Sequence, residues 1–252
     1  MHRGSPFVSA GFVALLLLSG GCGFLRQSPQ AILPAAELYK EGERQLNRQE
    51  YEEARTEFLT IVERHPDSPL APRARFLIGE AYYREGKFNE AVTEFEAFMA
   101  LYPSHSIADL AQYRLAMSFY DQMKPVEQDQ AFTRKAMEAF RKLVREYPES
   151  RYASDGLAKI DICRGRLAQK ELWIAYYYYN KDKIEPARQR LEGILKEYSR
   201  TLVIPETLFL LAQIHWREGL VGQADRLFQR LVDDFSYTEW GRRAARRLAA
   251  QR

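Results

Sequence analysis

Residues 72–103 read PRARFLIGEAYYREGKFNEAVTEFEAFMALYP, and the spacing inside this stretch decides the fold. Gly79, Ala91, Phe95 and Pro103 stand at successive offsets of 12, 4 and 8. The pattern predicts two helices packed closely against each other. A small residue in each lets the backbones approach, the phenylalanine fills the space beside the contact, and the proline stops the second helix. One such pair cannot bury its own apolar face, so it needs neighbours.

The neighbours are present. Gly42, Ala54, Phe58 and Pro66 each lie 37 residues before their counterparts. A third copy carries Ala116, Ala136, Phe140 and Pro148, with about eight extra residues around DQMKPVEQDQ, where Lys124-Pro125 marks a loop. In the fourth, Ala175, Ala187, Leu191 and Ser199 take the positions, and the surplus from Tyr152 to Gln169 has helical periodicity with no breaker, which predicts one long helix through to Tyr179. The fifth copy restores the period with Ala212, Ala224, Phe228 and Ser236, and residues 238–250 form an arginine-rich amphipathic end. This small-small-aromatic-proline signature is that of tetratricopeptide repeats. The expected fold is all-α, a right-handed solenoid of five helix pairs with a C-terminal capping helix. Ser68 is placed to cap the second pair, with Pro69 in its first turn.

The 252 residues are 46% hydrophobic and 28% charged, with a formal net charge of +3, an ordinary globular composition. So mild a charge argues against nucleic acid as a partner. Arg242, Arg243, Arg246 and Arg247 form the one basic cluster, which on sequence grounds is a solvated helix face.

The N-terminus reads as an address. His2 and Arg3 precede an apolar run from Phe7 to Leu18 that is too short to span a bilayer, and then come Ser19, Gly20, Gly21 and Cys22. Small residues before a cysteine resemble a bacterial lipobox, with Ser19 where leucine is usual. Lipid on Cys22 is the expectation; a plain secretory signal with an incidental cysteine is the alternative. Several acyl chains hold a protein on a membrane where one does not. Gly23 after the cysteine, rather than aspartate, favours the outer membrane. The organisation is then a signal peptide at 1–21, a lipidated tether at 22–34, three repeats at 35–148 with a loop near 121–130, and two repeats with the long helix and cap at 149–252. Cys163, the second cysteine, sits in an apolar helical stretch and reads as a small core residue.

The positions facing the concave groove of such a solenoid carry Tyr39, Phe76, Tyr83, Tyr113 and Tyr120 in the first three repeats. This aromatic ladder suits a peptide with alternating aromatic side chains. The same rings can instead pack between neighbouring repeats. Catalytic constellations are missing. The four histidines, His2, His65, His105 and His215, are scattered without metal-ligand spacing, and there is neither a phosphate-binding glycine loop nor a nucleophile elbow. Carboxylates such as Glu41, Glu80 and Glu94 fall where solvation or ion pairing is ordinary. The sequence therefore points to binding, with no enzyme activity, no cofactor and no metal.

The segments LYKEGERQLNRQEYEEARTEF, AFRKLVREYPESRYASD and RLAQKELWIAYYYYNKDKIEPARQRLEGILKEY, behind a lipobox, resemble the BamD family, the tetratricopeptide lipoproteins of the outer-membrane barrel assembly machine. The resemblance covers nearly the whole mature chain and is most specific from Glu171 to Gly193. It implies a lipid-anchored, non-enzymatic subunit on the periplasmic face of the outer membrane. Its C-terminal half would dock on a POTRA domain of the barrel-inserting subunit, its N-terminal groove would receive unfolded outer-membrane proteins, and other assembly lipoproteins would join it. Arg190 is the candidate for an ion pair with the docking partner, an exposed helical arginine being the alternative. A pilotin, or a scaffold for a secretion, pilus or cell-division complex, is the competing class; company with a secretin gene would favour it.

Overall fold

The computed structural model describes residues 33–250. Cys22, the signal segment and most of the tether lie outside the described residues. Those described form eleven helices and no strand. The helices pair as α1 (Ala35–Asn47) with α2 (Tyr51–Arg64), α3 (Ala71–Arg84) with α4 (Phe88–Leu101), α5 (Ala108–Tyr120) with α6 (Ala131–Glu146), α7 (Ala153–Asn180) with α8 (Ile184–Glu197), and α9 (Ile204–Arg217) with α10 (Val221–Phe235); α11 (Glu239–Ala249) follows. Each helix packs on the next along the chain, and α3 also meets α5 as α9 meets α11, so alternate helices share one wall. This is the nearest-neighbour contact pattern of a tetratricopeptide solenoid.

The signature residues act as their chemistry demands. Ala54, Ala91, Ala116, Ala136, Ala175, Ala187, Ala212 and Ala224 are fully buried, as are Phe58, Phe95 and Phe140. A Cβ on Gly79 would stand 2.8 Å from Phe95 Cε1, and one on Gly42 would stand 2.7 Å from Phe58 Cε1. Only glycine lets those rings lie against the backbone of the first helix. His65, Tyr102 and Tyr147, the residues before the three prolines, leave the helical region and end α2, α4 and α6. α8 stops at Tyr198 without a proline, where Thr201 donates both its backbone N–H (3.0 Å) and its hydroxyl (2.8 Å) to the Tyr198 carbonyl.

The turn inside four of the pairs passes through a left-handed residue: Gln49 (φ 65°), Gly86 (φ 80°), Asp182 (φ 59°) and Gly219 (φ 79°). The third pair has its loop there instead. That loop is ordered by Gln130, which is buried and donates its amide to the carbonyls of Lys124, Pro125 and Gln128 while accepting from the Thr133 hydroxyl. Lys170 of α7 donates to the Glu127 carbonyl at 2.9 Å, so the loop also leans on the long helix.

One expectation is corrected. Ser68 does not cap α3. Its hydroxyl accepts from Leu70 N at 3.2 Å in a turn ahead of the helix, which begins at Ala71 with Pro72, not Pro69, in its first turn. The Ser-Pro-Leu segment spends its hydrogen bonds on the turn between repeats, which delays the helix by about half a turn.

α7 joins two cores. Cys163 is buried with Ala116, Ala136, Phe140 and Leu143 of the third pair, whereas Ala168, Leu172 and Ala175 belong to a continuous core that runs through Leu191, Leu208 and Phe228 to Ala244 of α11. A single helix of 28 residues therefore packs on α6 with one half and on α8 with the other.

Candidate functional site

The five aromatic residues of the N-terminal ladder come from α1, α3 and α5, three helices of the same wall, and the structure assigns them different surroundings. Phe76 is 7% exposed and packs on Phe95 (centroids 5.5 Å apart) and Phe98 (6.1 Å). It is core, and this corrects the expectation that it is open to a ligand: a side chain at this position fills the space between α3 and α4 before it reaches the groove. The other four are half-buried tyrosines. Tyr39 meets Phe58 edge to face at 5.8 Å. Tyr83 packs on Phe88, and its hydroxyl donates to the Asp121 carboxylate. Tyr113 stacks on Tyr152 at 4.8 Å and donates to Asp155 at 2.9 Å. Tyr120 lies against Phe140, with Lys159 Nζ 4.4 Å from its ring centroid.

These contacts repeat. Tyr83 of α3 reaches the residue that ends α5, Tyr113 of α5 reaches α7, and Tyr176 of α7 donates to Glu206 of α9 at 2.8 Å. Each is a tyrosine on one first helix bonded to a carboxylate of the next, so the ladder pins adjacent repeats together while leaving part of each ring toward solvent. Burial, then the neighbouring carboxylate, raises all three phenol pKa values, that of Tyr113 to about 12. Tyr176 had no distinguishing signal in the sequence, since it opens a run of four tyrosines.

A charge cluster sits beside Tyr83. Glu80 of α3, its side chain 5% exposed, pairs with Arg84 and with Arg114 of α5, each at 2.8 Å. The Arg114 guanidinium lies 5.2 Å from the Tyr83 ring centroid. Glu80 thus holds Arg114 in place beside the Tyr83 ring. Ion pairing also accounts for Glu41, which meets Arg44 at 2.5 Å, and for Glu94, which meets Arg75 at 3.2 Å.

In the C-terminal half, Arg190 of α8 is exposed and its Nη1 donates to Glu171 of α7 at 2.7 Å. The pair is half in water and therefore contributes little to stability. Cys163 is fully buried, and burial pushes its thiol up to about 11, which makes it inert packing. No helix among the described residues is long and apolar enough to cross a membrane, and no three metal-ligating side chains among them converge. The wall thus presents half-buried tyrosine rings beside the Arg114 guanidinium and the Lys159 ammonium group.

Residues 32–231 match a protein family described as "YfiO: Outer membrane lipoprotein". Among curated proteins the chain is similar to the outer membrane protein assembly factor BamD of Caulobacter vibrioides, at 30% identity over 95% of this chain and 80% of that one. It is also similar to the BamD of Rickettsia prowazekii, at 29% identity over 89% of each. Among solved structures it aligns with the TPR2AB domain of yeast Sti1 in its pHSP90 complex at a TM-score of 0.46 and 13% identity, covering 81% of this chain and 78% of that one.

Proposed function

Because the chain belongs to the YfiO family of outer membrane lipoproteins, we propose that it is a non-catalytic subunit of the machinery that assembles β-barrel proteins into the outer membrane. The observation that carries this is the family match across 32–231, which runs from α1 into α10, together with relatives named as assembly factors that align over most of their length. Acyl chains on Cys22 anchor the protein to the periplasmic leaflet, and residues 23–34 tether the solenoid.

The N-terminal wall receives unfolded barrel proteins. Tyr39, Tyr83, Tyr113 and Tyr120 offer rings to the aromatic side chains of a strand, and Arg114 and Lys159 supply charge at the same wall. Phe76 supports this surface from beneath. The C-terminal repeats dock on a POTRA domain, with Arg190 giving up Glu171 for an acidic group of the partner. α7 makes the two halves one lever, since a continuous helix transmits a displacement that a loop would absorb.

Affinity capture of the full-length protein from envelope membranes in mild detergent, followed by mass spectrometry, tests this. A POTRA-containing barrel is the expected partner, and its yield falls with Arg190→Glu. Recovery of a secretin in its place, or no POTRA protein, refutes the proposal. Cys22→Ala is expected to move the protein from the membrane to the soluble periplasmic fraction.

A further inference from the structure

The arginine cluster of the C-terminal helix is solvated, with Arg242, Arg246 and Arg247 exposed and Arg243 half-buried. Alongside α9 and the end of α7 it also borders a concavity of about 560 Å³, within the range of roughly 300–1,000 Å³ usual for ligand pockets. Tyr179, Phe209 and Trp216 supply its rings. Arg217, Arg243, Arg246 and Arg247 supply its charge, and no carboxylate lines it. We propose that this concavity binds an acidic polypeptide segment of a partner protein, carboxylates on the guanidinium groups and an apolar side chain against the rings. The site is separate from the docking assigned to Arg190 and does not rest on it.

Four observations support the assignment. The guanidinium of Arg247 stacks 4.5 Å from the Trp216 ring centroid, and that of Arg243 lies 4.7 Å from both Phe209 and Trp240. A stacked guanidinium has its faces occupied and its in-plane N–H groups free, and its rotamer entropy is already lost, so carboxylate binding costs it less. Second, the ion pairs present do not neutralise the cluster. Arg217 meets the exposed Asp182 at 2.5 Å and Arg243 meets the exposed Glu239 at 3.6 Å, while Arg246 and Arg247 have no ion pair among the described residues. Third, docking of α11 does not need the charges, because Gly241 and Ala244 are its buried residues and Trp240 and Leu248 pack against the core. Like charges around one cavity repel, and an anionic ligand relieves that repulsion. Fourth, the lining favours a peptide over a layer of headgroups: Tyr179, Phe209 and Trp216 stand in the same concavity as the four arginines, so one short segment can place an apolar side chain on the rings and its carboxylates on the guanidinium groups.

The test uses the full-length protein in detergent and a fluorescein-labelled peptide, GEGEFEGEG, with GQGQFQGQG as its neutral counterpart. Anisotropy is expected to show binding of the acidic peptide at least tenfold tighter than the neutral one, with a change in Trp216 emission. Arg246→Glu with Arg247→Glu lowers acidic-peptide affinity at least tenfold, and Arg246→Lys with Arg247→Lys lowers it less, since lysine keeps the charge but loses the stacked fork. If the reversed variant loses its helical circular dichroism, Arg246→Gln with Arg247→Gln is measured instead. Equal binding of the two peptides, wild-type affinity in the reversed variant, or arginine-dependent binding of phosphatidylglycerol vesicles without peptide binding overturns the proposal.

Discussion

Glu80→Gln isolates the charge that organises the N-terminal wall. The substitution keeps the side chain's shape and removes only its charge. In the wild type a carboxylate 5% exposed faces Arg84, 43% exposed, and Arg114, 28% exposed. Breaking a fully buried ion pair costs about 3–5 kcal/mol, and an exposed one is worth about 0.2–1 kcal/mol. With one partner near the surface and the other three-quarters shielded, the expected loss is about 1.5 kcal/mol, most of it from Arg114. For a folded body of this size, about 2–4 °C of Tm per kcal/mol gives a fall of roughly 3–6 °C. Urea unfolding followed by circular dichroism measures the loss, and a double-mutant cycle with Arg114→Gln apportions it. The double variant is expected to lose about 1 kcal/mol less than the sum of the single losses, because Arg114 is unpaired only when Glu80 alone is changed. A Glu80→Gln loss below about 0.3 kcal/mol, or strict additivity with Arg114→Gln, refutes the claim that Glu80 holds Arg114 in place.

Other perturbations have different readouts. Gln49 holds a left-handed conformation (φ 65°) at the turn position where Gly86 and Gly219 stand in other repeats, so Gln49→Gly is expected to stabilise by about 0.5–1 kcal/mol in the same urea assay. Phe76→Ala should cost about 3–5 kcal/mol as a buried aromatic truncation, read as an unfolding midpoint and not as a change in peptide affinity. The Tyr113 phenol has its folded pKa raised to about 12, so its contribution is fully present below the unfolded value near 10 and is lost as pH rises through 12. Between about pH 9.5 and 11.5 Tyr113→Phe should lose less stability than wild type, as thermal melts across that window would show.

The repeat spine was legible in the sequence because its rule is local and geometric. A small residue against phenylalanine and proline after the second helix can each be satisfied in one way at offsets of 12, 4 and 8; α1 to α4 follow that rule, and α5 and α6 keep the 4 and the 8 around the loop inserted between them. The long α7 was legible for the complementary reason, since nothing from Tyr152 to Gln169 breaks a helix. The start of α3 was not, because Ser68 can spend its hydroxyl on a turn or on a cap and only the packing between repeats chooses.

The candidate sites divide in the same way. Sequence alone put aromatic residues on one wall, since their positions follow from the repeat register. Their exposure depends on which neighbour occupies the adjoining space, and that is tertiary: Phe76 went into the core, and Tyr83, Tyr113 and Tyr176 took carboxylates 30 to 42 residues away. The charge clusters were hidden further still. Glu80 and Arg114 are 34 residues apart, and the arginines of α11 have a meaning only once Trp216 and Phe209 of α9 lie beneath them. Residue order alone determined the periodic backbone of this protein, because close packing of a helix pair is set by side-chain size at fixed spacing. Only the folded chain decided which charges and rings meet, because those contacts join separate repeats, and no local rule ties one repeat's surface residues to another's.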